Sequence, residues 1–207
     1  MLPVKALHNI GLTIIYLTEN TTFKELVNSV KNVMKKYIHL SNLLFNPLLT
    51  PSEIIERGAF GGTYFGIPIE EYVDFDYESI FKMFKGVDTE MYLGEKYNRK
   101  LNRFGVKAGM PYEYWKEMGW MHDDDPYGWF EWYCKYYSGR RHHDDNRQII
   151  RWQNFAGVKG RWRNRIYSRI FETKDWDVSP IIQQSLLHWG YVVNEEDYDL
   201  WKQYRRR

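Results

Sequence analysis

Asp125-Pro126-Tyr127-Gly128-Trp129-Phe130-Glu131-Trp132-Tyr133-Cys134-Lys135-Tyr136-Tyr137-Ser138-Gly139 is the densest aromatic run in the chain. At 3.6 residues per turn, Trp129, Phe130, Trp132, Tyr133, Tyr136 and Tyr137 point to almost every side of a helix. A helix that is aromatic or apolar all round belongs in the middle of a protein. Asp125 reads as its N-cap and Pro126 as its first-turn residue. Residues 126–138 are therefore expected to be the core element of a mainly α protein.

Further helix signals lie on both sides. Upstream, Thr50-Pro51-Ser52-Glu53 is a start signal with Pro at the first helical position, and Gly58 is a stop. Short helices are expected over 75–85 and 111–118, closed by Gly86 and Gly119. Downstream, Asp144 or Asp145 opens a helix through Phe155, and Gly157 and Gly160 then break the chain. A helix over 161–171 follows, another starts at Ser179-Pro180, and a last one is capped at Asn194-Glu195-Glu196-Asp197. Near the N-terminus, Thr22-Phe23-Lys24-Glu25 is a capping box ahead of an amphipathic pattern reaching about Leu40, and 9–17 reads as a buried strand or packed segment. The expectation is a single aromatic-rich helical domain over 51–207. Residues 1–50 form a small N-terminal appendage of α or α+β character.

The chain has 207 residues, enough for one good core, with 43% hydrophobic and 27% charged side chains. That balance excludes a disordered chain. Aromatics reach 18%, with nine Trp and seventeen Tyr, so cores and binding surfaces draw on the same residues. Cys134 is the one cysteine, which excludes an internal disulfide and a cysteine-rich zinc module. No apolar run approaches the roughly 20 residues of a membrane span. Residues 1–9 lack a secretory pattern. An intracellular protein, cytoplasmic or nuclear, is expected, with no membrane partner.

Several strings carry a resemblance. Gly61-Gly62-Thr63-Tyr64-Phe65, Phe104-Gly105-Val106-Lys107, the aromatic run from Asp125 to Cys134, Gly139-Arg140-Arg141 and Asp145-Asn146-Arg147-Gln148-Ile149-Ile150-Arg151-Trp152 together make the chain similar to an uncharacterised family. Its members are hypothetical proteins of fungi, plants, bacteria and large DNA viruses. The resemblance covers about residues 58–190. It implies that the middle and C-terminal parts are one module, and it implies no activity.

Net charge is only +2, but it is unevenly spread. Residues 139–170 hold eight Arg and one Lys against two Asp, and 70–90 hold seven acids against two Lys. In a helix over 161–171, Arg161, Arg165 and Arg169 share one ridge, and Trp162, Ile166 and Ile170 the next. Guanidinium groups about 6 Å apart can track successive phosphates, and a Trp can stack on an unpaired base. Arg161, Arg163, Arg165, Arg169, Lys159 and Trp162 are thus the candidate nucleic-acid-binding residues, with DNA or RNA as partner. The competing reading is that the arginines pair with acidic neighbours inside the fold, above all Arg147 and Arg151. The helices on either side of 156–160 also have the outline of a helix-turn-helix.

Two alternatives stand beside this. An enzyme acting on an anionic small molecule would use a pocket at Gly61, Gly62, Tyr64, Lys107, Arg140 and Asp145, with the glycine loop supplying amides. Close packing explains the same glycines. A protein-interaction module would show an exposed aromatic patch. His122-Asp123-Asp124-Asp125 and His142-His143-Asp144-Asp145 contain metal-ligand types, but they flank a helix spanning about 20 Å. They are expected to stay apart and act as helix caps, so neither a metal nor a cofactor is expected. Cys134 reads as a buried inert thiol, and His188 as a satisfied core histidine.

Overall fold

Thr50 starts the first described helix as its sequence indicates. Its hydroxyl accepts from the Glu53 amide at 3.3 Å, and the Glu53 carboxylate accepts from the Thr50 amide at 2.8 Å, with Pro51 at the first position. The computed structural model describes residues 45–66, 77–110, 112–120 and 123–205. The capping box at Thr22, the segment 9–17 and the start of the helix expected at residue 75 lie outside them. The described helices are α1 (Pro51–Glu56), α2 (Tyr77–Met83), α3 (Tyr112–Glu117), α4 (Trp129–Tyr137), α5 (Asp145–Phe155), α6 (Arg161–Thr173), α7 (Pro180–His188) and α8 (Glu195–Arg205). Two 3-10 turns lie at Thr89–Met91 and Arg99–Leu101, and there is no β-strand among the described residues. The protein is mainly α.

Helix α4 is the centre. Trp129, Phe130, Glu131, Trp132, Tyr133 and Cys134 are all buried, which places every side of its first two turns against protein. It packs on α1 and α5, α5 packs on α6, and α6 packs on α7 and α8. The chain just before α1 joins this core: Leu49 is buried, and the Phe45 ring meets Trp129, Trp132, Tyr133, Tyr136 and Trp152 at 5.3–6.2 Å. Residues Phe45–Arg207 form one unit. No described helix is long and apolar enough to cross a membrane.

Helix α4 starts later than Asp125-Pro126 suggests. Gly128 adopts φ 90°, a left-handed conformation suited to glycine, and serves as N-cap without a side-chain bond. The Glu131 carboxylate caps from inside the helix by accepting the Tyr127 amide at 2.8 Å. Asp125 is thus not the cap; its buried carboxylate binds cations instead. Asp144 precedes α5 but likewise makes no side-chain cap bond.

Candidate functional site

Helix α6 has two faces of different character. Ile166, Tyr167 and Ile170 are buried against the core. On the opposite side Arg161, Asn164, Arg165, Ser168, Arg169 and Glu172 line an open groove of about 460 Å3. Arg161 and Arg165 are exposed, and Arg169 is half-buried with its Nε lacking a hydrogen-bond partner. Among the described residues, no carboxylate lies within ion-pair distance of these three arginines. One carboxylate, Glu172, sits on the groove wall against three guanidinium groups. Lys159 is exposed in the turn before the helix, and the Asn164 amide group ties that turn down by donating to Val158 O and Gly160 O. Beyond the flank, Lys174 Nζ and Arg205 Cζ lie 4.2 and 4.9 Å from the Phe171 ring, so more cations border the same helix.

The other two α6 residues are used internally. Arg163 turns inward, 2.7 Å from the Asp197 carboxylate and 4.7 Å from the Tyr191 ring centre. It joins a buried network in which the Tyr167 and Tyr191 hydroxyls meet at 2.5 Å and Tyr191 donates to Asp197 at 2.8 Å. Trp162 is half-buried against Phe155 and carries the Arg161 guanidinium 5.1 Å from its ring centre. It does not line the groove.

The glycine loop is filled by its own neighbours. The Gly61 amide donates to Asn102 Oδ1 at 2.6 Å, so it is not presented to an anion. A Cβ on Gly61 would meet the Tyr97 ring at 2.4 Å, and one on Gly62 would meet Glu90 O at 2.5 Å. Close packing therefore accounts for both glycines. Lys107 stacks over the Tyr97 ring at 5.2 Å. The other pocket candidates spread around α4. The Tyr64 hydroxyl donates to Tyr127 O and accepts from the Glu131 amide; Arg140 donates to Asp125 Oδ2 at 2.6 Å; Asp145 accepts from Trp132 Nε1 at 2.8 Å. Each is committed to a different partner.

Beneath these bonds lies a carboxylate cluster that sequence patterns do not reveal. Asp125 and Glu131 are fully buried, and Lys135 reaches both, at 3.1 and 2.6 Å. Burial pushes the Glu131 carboxyl above its ordinary range, with Lys135 and the Tyr127 amide acting against that shift. Arg147 grips Asp144 with two bonds of 2.6 and 2.7 Å. Arg151 donates to Gln148 and lies 5.7 Å from the Trp189 ring centre. Arg147 thus has the acidic partner expected of it but is exposed rather than inside, and Arg151 donates to an amide, not a carboxylate.

The two His/Asp segments do not stay apart. Helix α4 is only nine residues long, and the chain turns back after Gly139 so that Arg140 reaches Asp125. His142 Nε2 then lies 3.1 Å from Asp124 Oδ2, and the His142 and His143 rings sit 4.0 Å apart. His188 also departs from expectation: its Nε2 is buried with no hydrogen-bond partner. Cys134 is buried, and burial holds its thiol well above its ordinary range, as expected of an inert thiol. No protein family, no curated protein and no solved structure matches the chain.

Proposed function

We propose that the protein binds a polyanion, with nucleic acid as the ligand class, through the groove on α6. The observation that carries this is the row Arg161, Arg165 and Arg169 along one groove, the first two exposed and the third half-buried, with no carboxylate within ion-pair distance among the described residues. Successive members of an i, i+4 row are about 6 Å apart, which suits repeated phosphates. The row begins at the N-terminus of a 13-residue helix that has no acid in its first turn. That end already carries about half a positive charge. Arginine there opposes the helix dipole and costs stability, so the arrangement favours an anion rather than the fold. The opposite face of α6 is packed, which holds the row in place before any ligand arrives.

Contacts of this kind read the phosphate backbone and not the bases. The similarity to an uncharacterised family, itself a proposal, adds no activity to this reading.

The test is fluorescence anisotropy with labelled single- and double-stranded DNA and RNA at stepped salt. Three phosphate contacts predict a log–log salt slope of about −3 on duplex. Exchanging Arg161, Arg165 and Arg169 together for Glu is expected to weaken binding at least about a hundredfold at low salt. Binding that survives the exchange, or no binding to any of the four probes at low salt, overturns the proposal.

A further inference from the structure

Asp124, His142 and His143 each offer one donor atom, and these atoms all lie within 4.8 Å of one another. We propose that they form a three-ligand site for a divalent cation of the zinc class, with a fourth position open to solvent.

The donor chemistry selects the ion. Two imidazoles and one carboxylate suit zinc and its neighbours, whereas calcium and magnesium need a shell of oxygens that a single carboxylate does not supply. Geometry agrees. Around a tetrahedral ion with bonds of about 2.0–2.1 Å, donors stand about 3.4 Å apart. His142 Nε2 and Asp124 Oδ2 are already 3.1 Å apart. Asp124 and His143 are exposed. Rotation of the His143 side chain closes the remaining gap, and the exposed side of the cluster leaves room for a water ligand.

The backbone on both sides is fixed from below. Lys135 Nζ donates to Asp124 O at 2.7 Å, and the adjacent Asp125 is held by Arg140 at 2.6 Å. The His142 amide donates to Asp145 Oδ2 at 2.9 Å, while Asp145 Oδ1 accepts from the Trp132 indole at 2.8 Å. Such outer bonds are what set ligand direction in metal sites. The two cations underneath are paired with buried Glu131 and Asp125, so they oppose an added ion less than unpaired cations would. Ligation through His142 Nε2 places that ring's proton on Nδ1 and ends the contact from the Asp144 amide. That contact is 3.4 Å long, at the outer limit of a hydrogen bond.

The test uses the full chain, stripped with a chelator and titrated with Zn2+ against a chromophoric competitor, and separately with Co2+ followed by visible absorption. One ion per chain with a tetrahedral-type cobalt spectrum is expected. Asp124→Asn, His142→Gln and His143→Gln are each expected to weaken zinc at least tenfold and to abolish that spectrum. His143 is exposed, so His143→Gln keeps the fold and decides the matter even if another variant unfolds. No stoichiometric binding, or binding that all three variants retain, overturns the site. Nucleic-acid affinity is expected to be unchanged in these variants, which separates this site from the α6 groove.

Discussion

His188 is the residue whose chemistry is most out of balance with its surroundings. Its ring lies 4.7 Å from the Phe60 ring, and its Nε2 has no partner. Burial pushes its pKa down to about 4, with a bond to the Ala59 backbone acting weakly in the other direction. The folded value lies below the unfolded value of about 6.5, so the unfolded chain binds the proton more readily. The neutral ring's advantage is therefore complete above pH 6.5 and is lost as pH falls toward 4. The shift corresponds to at most about 3 kcal/mol. Urea midpoints measured across pH 7 to 4 are expected to fall, and His188→Gln is expected to flatten that dependence in this window. An unchanged slope in the variant would place the titration elsewhere. None of this is legible in the sequence, where His188 before Trp189 looks like any satisfied core histidine. Whether a ring nitrogen finds a partner depends on which segments cross it.

Helix α6 shows what periodicity supplies and where it stops. The i, i+4, i+8 spacing places Arg161, Arg165 and Arg169 on one ridge, and the structure puts that ridge on the groove. The same helix places Arg163 on the buried side, and spacing alone cannot reveal its partner, because Asp197 is 34 residues away and is brought in by the packing of α8. The aromatic run likewise announces a central α4. It hides the buried acids, since Glu131 and Asp125 read as ordinary surface or cap residues until their cations are located. The helix was also expected to be long enough to separate the two His/Asp segments; the glycine at 128 shortens it, and the segments meet. Two single changes on α6 test its division. Arg163→Ala strips an inward cation from Asp197 and the Tyr167–Tyr191 network, so it is expected to cost about 2–3 kcal/mol in thermal or urea unfolding. Arg165→Ala touches only the groove and is expected to stay within about 0.5 kcal/mol while weakening nucleic-acid binding. Equal destabilisation by both would mean that the ridge is part of the fold.

At the scale of the molecule, the question is where the packed unit begins. A capping box locates the start of α1 at Thr50, but it says nothing about which upstream residues pack. A short irregular stretch has no period to read. The structure shows that the stretch before α1 is part of the core. Phe45 touches five aromatic rings of α4 and α5. Leu49 is buried, Tyr133 donates to its carbonyl at 2.8 Å, and the Leu48 and Leu49 amides both donate to Gly190 O, at 2.9 and 3.1 Å. Those bonds close the turn after α7 onto the start of the unit. A fragment over 45–207 is therefore expected to melt cooperatively. A fragment over 51–207 loses two anchoring side chains and leaves the Tyr133 hydroxyl and Gly190 carbonyl without their partners. Truncating a buried Phe and Leu costs about 2–5 kcal/mol each in fully packed sites. Because Phe45 is only half-buried, a combined loss of about 5 kcal/mol is the reasonable expectation, against a typical total stability of about 5–15 kcal/mol. Calorimetry of the two fragments decides it: a 51–207 fragment as stable as 45–207 would show that the aromatic cluster closes without Phe45, and that α4 and α5 alone determine the core.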